Sequence, residues 1–300
     1  MKILLSKLLE LMPIIGKWKK YSNKYFSLHA EPGFYNSPIV TFEEVQSNDY
    51  YKFLKTEEIK DIDINEENQL KLFSKFDPYL SSFPFPEDKD VKFRYYSNNP
   101  MFRKIDGVIF FSFLNHFKPK KIIEIGSGYS SALAFDTFEQ IIKESVSLTF
   151  IDPYTDRVDK LLSNEDFLVS EFIREPIQKI NSEIFTTLKE NDILFIDSSH
   201  IVKTSGDLNF IFFEILPLLQ SGVILHIHDI FFPFEYPIEW IKEGLCYNET
   251  YFVRSFLMNN GKYEILLWND FIHQKHPTLL ENKINNIDSD RGGSIWIKKK

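Results

Sequence analysis

The chain has 300 residues, 43 % of them hydrophobic, and a formal net charge of −8. That length suits one large α/β domain with an appendage, because single hydrophobic cores stop growing at roughly 250–300 residues. The acidic balance, without a dominant basic face, argues against nucleic acid as a partner. The single cysteine excludes an internal disulfide framework and fits a reducing cytoplasm.

The N-terminal segment, residues 1–28, carries six lysines and one glutamate, with leucines at helical spacing. This pattern predicts an amphipathic helix that packs on the protein's own body or on a second subunit, as in a homo-oligomer. Docking on an anionic membrane surface is the alternative. Lys7 and Glu10 interrupt its apolar stretch, and no later segment reaches the roughly 20 apolar residues of a membrane span, so we expect a soluble cytoplasmic protein.

Residues 42–90 are acidic and contain a second helical pattern over 66–76. A proline-broken connector follows that pattern at 77–90. We therefore predict that residues 1–90 form a mostly helical N-terminal region, which acts as a lid or in oligomerisation.

From about Val91 short apolar runs alternate with helical patterns. Strands are predicted at 121–126, 147–153, 192–197 and 222–229, and helices at 101–117, 129–143 and 207–220. Strands that are apolar throughout and separated by helices indicate a parallel sheet covered on both faces. Two further strands, 262–270 and 292–300, have no convincing helix between them and predict a terminal antiparallel pair. Residues 91–300 thus predict a doubly wound α/β domain.

The loop "EIGSGYSS", residues 124–131, joins the first of these strands to a helix. Glycines at 126 and 128 let the backbone approach a ligand closely. The negative charge of Glu124 would repel a pyrophosphate and suits a cationic ligand such as S-adenosylmethionine. Asp152, after the second strand, can accept hydrogen bonds from ribose hydroxyls in either cofactor class. A purely structural role, with Glu124 capping the helix, is the alternative.

The motifs "KIIEIGSGYSSA", "DILFIDSSH", "GVILHIHDIFFPFEYP" and "GGSIWIKK" resemble those of class I S-adenosylmethionine-dependent methyltransferases. The resemblance is narrower to bacterial small-molecule methyltransferases of sugars and secondary metabolites. It implies a seven-stranded sheet of order 3-2-1-4-5-7-6 with strand 7 antiparallel. It also implies a set of cofactor-binding residues: Glu124, Gly126, Ser127, Gly128, Ser130, Asp152 and Asp197.

In that sheet order, the strands ending at Asp197 and Asp229 are neighbours, so their ends lie roughly 5 Å apart. Two carboxylates this close repel each other. Three arrangements relieve the repulsion: a divalent cation bridges them, one is protonated, or one points away.

Methyl transfer to a hydroxyl requires removal of the hydroxyl proton, and His200 is suited to this because imidazole titrates near neutrality. Mg²⁺ (or Mn²⁺) held by Asp197 and Asp229, with Glu235 as a candidate third ligand, could also acidify the hydroxyl. The sequence resembles metal-dependent macrolide-sugar O-methyltransferases, which have Asp-x-x-His after strand 4 and Asp after strand 5. Asp197, His200 and Asp229 match those positions. A loop or capping role for His200 is the alternative.

Other residues near these strand ends have less specific interpretations. His226 and His228 share one face of a strand and are interpreted as core or sheet-edge histidines satisfied by hydrogen bonds. The aromatic segment 231–240 is either a substrate wall or a lid that buries itself.

The sequence therefore predicts an O-methyltransferase acting on a hydroxyl of a sugar or glycosylated small molecule, with catalytic residues Asp197, His200 and Asp229. A nicotinamide-dependent oxidoreductase using the same glycine loop is one alternative. A non-catalytic partner protein with this fold is the other.

Overall fold

The computed structural model describes residues 30, 32–47, 59–285, 287 and 290–300. The amphipathic helix predicted over 1–28 lies outside them. The described residues fall into two compact units. The smaller contains 30, 32–47 and 238–246, and the larger contains 59–237 and most of 247–300.

The smaller unit consists of two short helices, α1 (Phe42–Ser47) and α8 (Ile238–Lys242). The ammonium of Lys242 lies 4.7 Å from the centre of the Phe42 ring, a cation–π distance.

The larger unit is built on a mixed sheet whose strands are β1 (Lys121–Ile125), β2 (Ser147–Ile151), β3 (Glu171–Ile173), β4 (Ile193–Ile196), β5 (Ile224–Ile227), β6 (Tyr263–Trp268) and β7 (Ile295–Lys299). Within the described residues its order is 3-2-1-4-5-7-6, with β7 antiparallel to both neighbours. This confirms the predicted fold. The central strands β4 and β5 are buried over their whole length, which explains their unbroken apolar runs.

Helices cover both faces of this sheet: α2 (Glu66–Lys75), α3 (Asp77–Leu80), α4 (Lys104–Phe117), α5 (Tyr129–Asp136), α6 (Asn164–Leu168), α7 (Asp207–Phe210), α9 (Glu249–Leu257), α10 (Asn269–Lys275) and α11 (Pro277–Glu281). The pattern predicted over 129–143 continues from α5 as a π-helical turn, Thr137–Ile142. The pattern over 207–220 begins as α7 and continues as a π-helical turn (Ile211–Ile215) and a 3₁₀ turn (Leu216–Leu218). Pro217 in the last turn cannot donate a backbone hydrogen bond, which is incompatible with a continuous α-helix.

Two helices, α10 and α11, lie between β6 and β7, where the sequence analysis expected none. Both are short, and Pro277 begins the second one. Two helices of seven and five residues present too few turns for a clear apolar period.

Aromatic packing against the sheet uses many of the chain's 30 phenylalanines. Phe113 of α4 stacks on Trp296 of β7 with 3.9 Å between ring centres. Phe195 of β4 stacks in the same way on His226 of β5, at 3.7 Å. These stacked rings fill the space between α4 and the central strands.

Residues 59–90 belong to the same compact unit as the sheet. The buried side chain of Gln69 in α2 accepts a hydrogen bond from the backbone N–H of Trp268 at 2.8 Å. Its amide nitrogen donates to the Ile64 carbonyl oxygen at 2.6 Å. The amide of Asn65 donates to the carbonyl oxygen of Ile265. Helix α2 is thus joined to edge strand β6.

Replacing Gln69 tests this join. We expect Gln69→Ala to lower the free energy of unfolding by about 1–3 kcal/mol, because the buried Trp268 N–H loses its acceptor. Gln220→Ala removes an exposed glutamine and should change it by less than about 0.5 kcal/mol. Urea denaturation of both variants measures the difference. Equal stability would show that α2 is not joined to β6 through Gln69.

Candidate active site

A pocket of about 670 Å³ opens at the carboxyl-terminal edge of the sheet, where ligands of open α/β folds bind. Its size is within the usual range of small-molecule sites, roughly 300–1,000 Å³. The residues that line it include Gly126, Ser127, Asp152, Asp197, His200, His228, Asp229 and Tyr247. It therefore joins the end of β1 to the ends of β4 and β5.

The glycine loop forms one side of this pocket. Gly126 has a φ of +86°, and a Cβ there would overlap the backbone carbonyl oxygen of Asp197. Only glycine fits such a position without strain. The next residue, Ser127, donates from its backbone N–H and its hydroxyl to the same oxygen of Asp152, both at 2.9 Å. The loop is thus held against the ends of β2 and β4.

Glu124 does not lie where the sequence analysis expected it. It is buried, it is not one of the pocket-lining residues, and its Oε1 accepts a short hydrogen bond from the hydroxyl of Ser130. Burial raises the pKa of Glu124 to about 8, so the carboxyl group is largely neutral at pH 7. Its geometry is that of a residue holding helix α5 to β1, which was the alternative interpretation.

Three carboxylates surround the imidazole of His200. Its Nε2 lies 3.3 Å from Oδ1 of Asp197 and 3.4 Å from Oδ2 of Asp229, and its Nδ1 lies 2.8 Å from Oε2 of Glu249. His200 and Glu249 are buried, whereas Asp197 and Asp229 are partly exposed to the pocket. The predicted repulsion between the two aspartates is therefore relieved by the histidine ring between them.

Burial and these contacts together shift the pKa values of all four groups. Burial opposes the charge on His200, but hydrogen bonds to Asp197 and Glu249 raise its pKa well above the usual value. Burial also opposes ionisation of Asp197, but His228 and His200 lower its pKa. Burial raises the pKa of Asp229 and of Glu249. The raised pKa of His200 favours its imidazolium form, and the lowered pKa of Asp197 favours the carboxylate beside it.

The backbone at this edge is strained. His200 and Asp229 have φ values of 57° and 58°, a left-handed conformation that is uncommon for residues other than glycine. The backbone N–H groups of Asn248 and Glu249 both donate to the carbonyl oxygen of His200, at 3.1 and 3.2 Å. The start of α9 thus holds the His200 backbone in place. Such strain clusters at functional sites.

The two histidines of β5 differ from each other. His228 lines the pocket, with Nδ1 3.3 Å from the Ser294 hydroxyl and Nε2 3.6 Å from Oδ1 of Asp229. Neither ring nitrogen of His226 has a hydrogen-bond partner among the described residues. The interpretation as a histidine satisfied by hydrogen bonds therefore fits His228 and not His226, whose pKa burial lowers well below the usual value.

The residues predicted to hold a metal do not assemble into one site. Oε2 of Glu235 accepts a hydrogen bond from the hydroxyl of Tyr251 at 2.8 Å, and Glu235 does not line the pocket. Within the part of the chain that the structure describes, no group of three His, Cys, Asp or Glu side chains is arranged to hold a metal ion. Asp197 and Asp229 do lie together, but the ring of His200 lies between them.

The aromatic segment after β5 packs inward. Phe232 and Phe234 are buried and contact the ring of Trp268 at 5.3 and 4.5 Å between ring centres. This packing fits the interpretation of a segment that buries itself. An aromatic ring in the pocket comes instead from Tyr247, whose centre lies 5.0 Å from that of His200.

Most of the predicted site residues meet in the pocket. Gly126, Ser127, Asp152, Asp197, His200 and Asp229 line it, whereas Glu124, Gly128, Ser130 and Glu235 do not. Sequence reasoning missed the contact of Glu249 with His200. Its only local signal was an acidic residue at the start of a helix, which is common for reasons of helix stability alone.

Comparison with known proteins supports the assignment of the fold. Residues 123–230 match a family model described as a methyltransferase domain. An uncharacterized protein of Archaeoglobus fulgidus is 34 % identical over 167 residues, which cover 54 % of this chain and 75 % of that protein.

Two solved structures have a similar fold. The Podospora anserina methyltransferase PaMTH1, bound to SAH, is 16 % identical with a TM-score of 0.42, over 87 % of this chain and 98 % of that one. CmcI with Mg and SAM is 16 % identical with a TM-score of 0.39, over 66 % of this chain and 72 % of that one. No site assignment rests on these two. This chain belongs to the same family as the archaeal protein, and its residues 123–230 match the model of a methyltransferase domain, with which its sheet order agrees.

Proposed function

We propose that this protein transfers a methyl group from S-adenosylmethionine to a hydroxyl of a sugar or glycosylated small molecule, with His200 as the proton acceptor. The observation that carries the proposal is the placement of His200. Its Nε2 faces Asp197 and Asp229 in the same pocket as the glycine loop. A hydroxyl is a poor nucleophile until its proton is removed, and imidazole is the side chain best suited to that removal.

The pocket residues fit S-adenosylmethionine. Gly126 and Ser127 line the pocket beside Asp152 and Asp197, so the backbone of the glycine loop lies where a ligand can approach closely. When bound there, S-adenosylmethionine supplies a methyl group on a positively charged sulfonium. The ionised carboxylate of Asp197 favours such a cation.

The proton is handled by this chain's own residues. The hydroxyl proton of the acceptor passes to Nε2 of His200 as the new C–O bond forms and the methyl–sulfur bond breaks. The imidazolium that results is stabilised by Asp197, Asp229 and Glu249, in the way a buried carboxylate stabilises the histidine of a hydrolase triad. Before each turnover His200 must be neutral, so its raised pKa predicts that the rate increases with pH above neutrality.

The polar lining supports a polyhydroxylated acceptor. Arg157, Gln178, Lys203 and Asp207 line the pocket together with the acidic cluster. Such groups can donate to or accept from several hydroxyls at once. Turnover of radiolabelled S-adenosylmethionine with methyl glycosides and glycosylated phenols, set against the matching amines, tests the acceptor class. Preferential methylation of amines would overturn it.

We further propose that the reaction does not need a divalent cation. The ring of His200 occupies the space between Asp197 and Asp229 that a bridging cation would need, and Glu249 holds the ring from its other side. Glu235, the candidate third ligand, is paired with Tyr251.

Replacing His200 tests the base. We expect His200→Gln to lower kcat by about 10²- to 10⁴-fold and to abolish the increase of rate with pH. His276→Gln is the matched control, because His276 pairs with Glu66 and does not line the pocket. Rates of both variants measured from about pH 6 to about pH 9 test these expectations. A wild-type rate in His200→Gln would show that His200 is not the proton acceptor.

Chelation tests the proposal of a cation-free reaction. We expect turnover after EDTA treatment to equal that of the untreated enzyme, because the ring of His200 already lies between the two aspartates. Added Mg²⁺ or Mn²⁺ should leave the rate unchanged. Loss of activity with EDTA and its recovery with either cation would return Asp197 and Asp229 to the role of metal ligands.

Replacing Glu124 and Asp197 in turn tests which of the two residues sets the cofactor preference. We expect Glu124→Gln to bind S-adenosylhomocysteine within about threefold of wild type, because the native carboxyl is already largely neutral at pH 7. Asp197→Asn, which removes an ionised carboxylate from the pocket, should bind S-adenosylmethionine more weakly than wild type does. Calorimetry with both ligands and with NADH measures this. Binding of NADH in place of S-adenosylhomocysteine would contradict the cofactor assignment.

A further inference from the structure

We infer that Glu249 is the positioning residue that selects the reactive tautomer of His200. The inference rests on the proposed function of His200 as the base. Glu249 is completely buried, and its Oε2 lies 2.8 Å from Nδ1 of His200. Its other oxygen, Oε1, has no hydrogen-bond partner among the described residues.

The hydrogen bonding of the Glu249 carboxylate differs from that of a buried carboxylate with a purely structural role. A carboxylate that only stabilises the fold is normally satisfied by several donors, as Asp106 is by the backbone N–H of Gly293 and the side chain of Asn269. Among the described residues, the one hydrogen bond to the Glu249 carboxylate is that with the ring of His200. Leaving Oε1 without a partner in the interior is unfavourable. The Glu249 carboxylate therefore contributes more to orienting the ring of His200 than to stabilising the fold.

The contact decides which ring nitrogen carries the proton in neutral His200. A carboxylate accepts hydrogen bonds, so Nδ1 donates to Glu249 and keeps its proton. The lone pair is then on Nε2, which faces the pocket beside Asp197 and Asp229. Without Glu249 the opposite tautomer would be favoured, because an Nε2–H could donate to either aspartate. That tautomer has no free lone pair toward the acceptor hydroxyl.

Backbone hydrogen bonds also join the start of α9 to His200. Asn248 and Glu249 donate their N–H groups to the carbonyl oxygen of His200, and the Asn248 side chain accepts from the N–H of Val202 at 2.6 Å. The first turn of α9 thus fixes both the ring and the loop of His200. A helix terminus has free N–H groups for such contacts because its first turn lacks intrahelical acceptors.

Two variants separate the charge of Glu249 from its hydrogen bond. Glu249→Gln keeps a group that can accept from Nδ1, whereas Glu249→Met has a similar length and removes both charge and acceptor. We expect kcat to fall about tenfold in the first and at least about a hundredfold in the second, while KM for S-adenosylmethionine and for the acceptor stays within about threefold. Thr250→Val is the matched control, because it removes a neighbouring buried hydroxyl that has no hydrogen-bond partner among the described residues.

A spectroscopic measurement provides a result even if no acceptor is turned over. In ¹⁵N-histidine-labelled protein, with the His200 signals assigned by comparison with His200→Gln, neutral His200 should carry its proton on Nδ1. We expect Glu249→Met to shift it to Nε2, and Thr250→Val to leave it on Nδ1. Thermal melting of each variant confirms that it is folded.

Three results would overturn the inference. One is a wild-type kcat in Glu249→Met. The second is a loss that falls on KM with kcat unchanged. The third is an Nε2–H tautomer in the wild-type protein. If His200→Gln turns over normally while the tautomer shifts as expected in Glu249→Met, the proposed base is wrong but the positioning contact stands.

Discussion

Three carboxylates converge on one imidazole at the edge of this sheet, and the remaining features of the site depend on that arrangement. Asp197, Asp229 and Glu249 come from the ends of β4 and β5 and the start of α9. Like charges this close, in surroundings that exclude much of the water, would otherwise force one or more of them to bind a proton. The ring of His200 lies between them and supplies the opposite charge.

Asp197 links the two halves of the pocket. Its carbonyl oxygen occupies the space that a side chain at position 126 would need, and its carboxylate lies 3.3 Å from His200. The cofactor loop and the proposed base are therefore positioned by the backbone and the side chain of one residue. Because β4 is buried along its length and hydrogen-bonded to strands on both sides, that residue has little freedom to move. Reactive groups supported by rigid strands keep their geometry.

The sequence predicted what depends on local periodicity and on strand ends. Apolar runs identified β1, β2, β4 and β5, and the sheet order implied by resemblance brought Asp197 beside Asp229. Contacts between residues that are far apart in the sequence could not be predicted from it. Glu249 lies 49 residues from His200 along the chain, and only the tertiary structure brings the start of α9 to the β4 edge. The inward orientation of Glu124 also depends on its partner Ser130, since a position on a strand does not specify what the side chain meets.

In the proposed function, the preference for a cationic cofactor has a different origin from the one that the glycine loop suggested. Glu124 lies beneath the loop and is largely neutral near pH 7, so it exerts little charge on a ligand in the pocket. Asp197 lines the pocket and stays ionised because His228 and His200 lower its pKa. In the proposed function, the negative charge that disfavours a pyrophosphate and favours a sulfonium is therefore on Asp197. Since Asp197 also contacts the proposed base, one residue would both favour the methyl donor and hold the group proposed to prepare the acceptor.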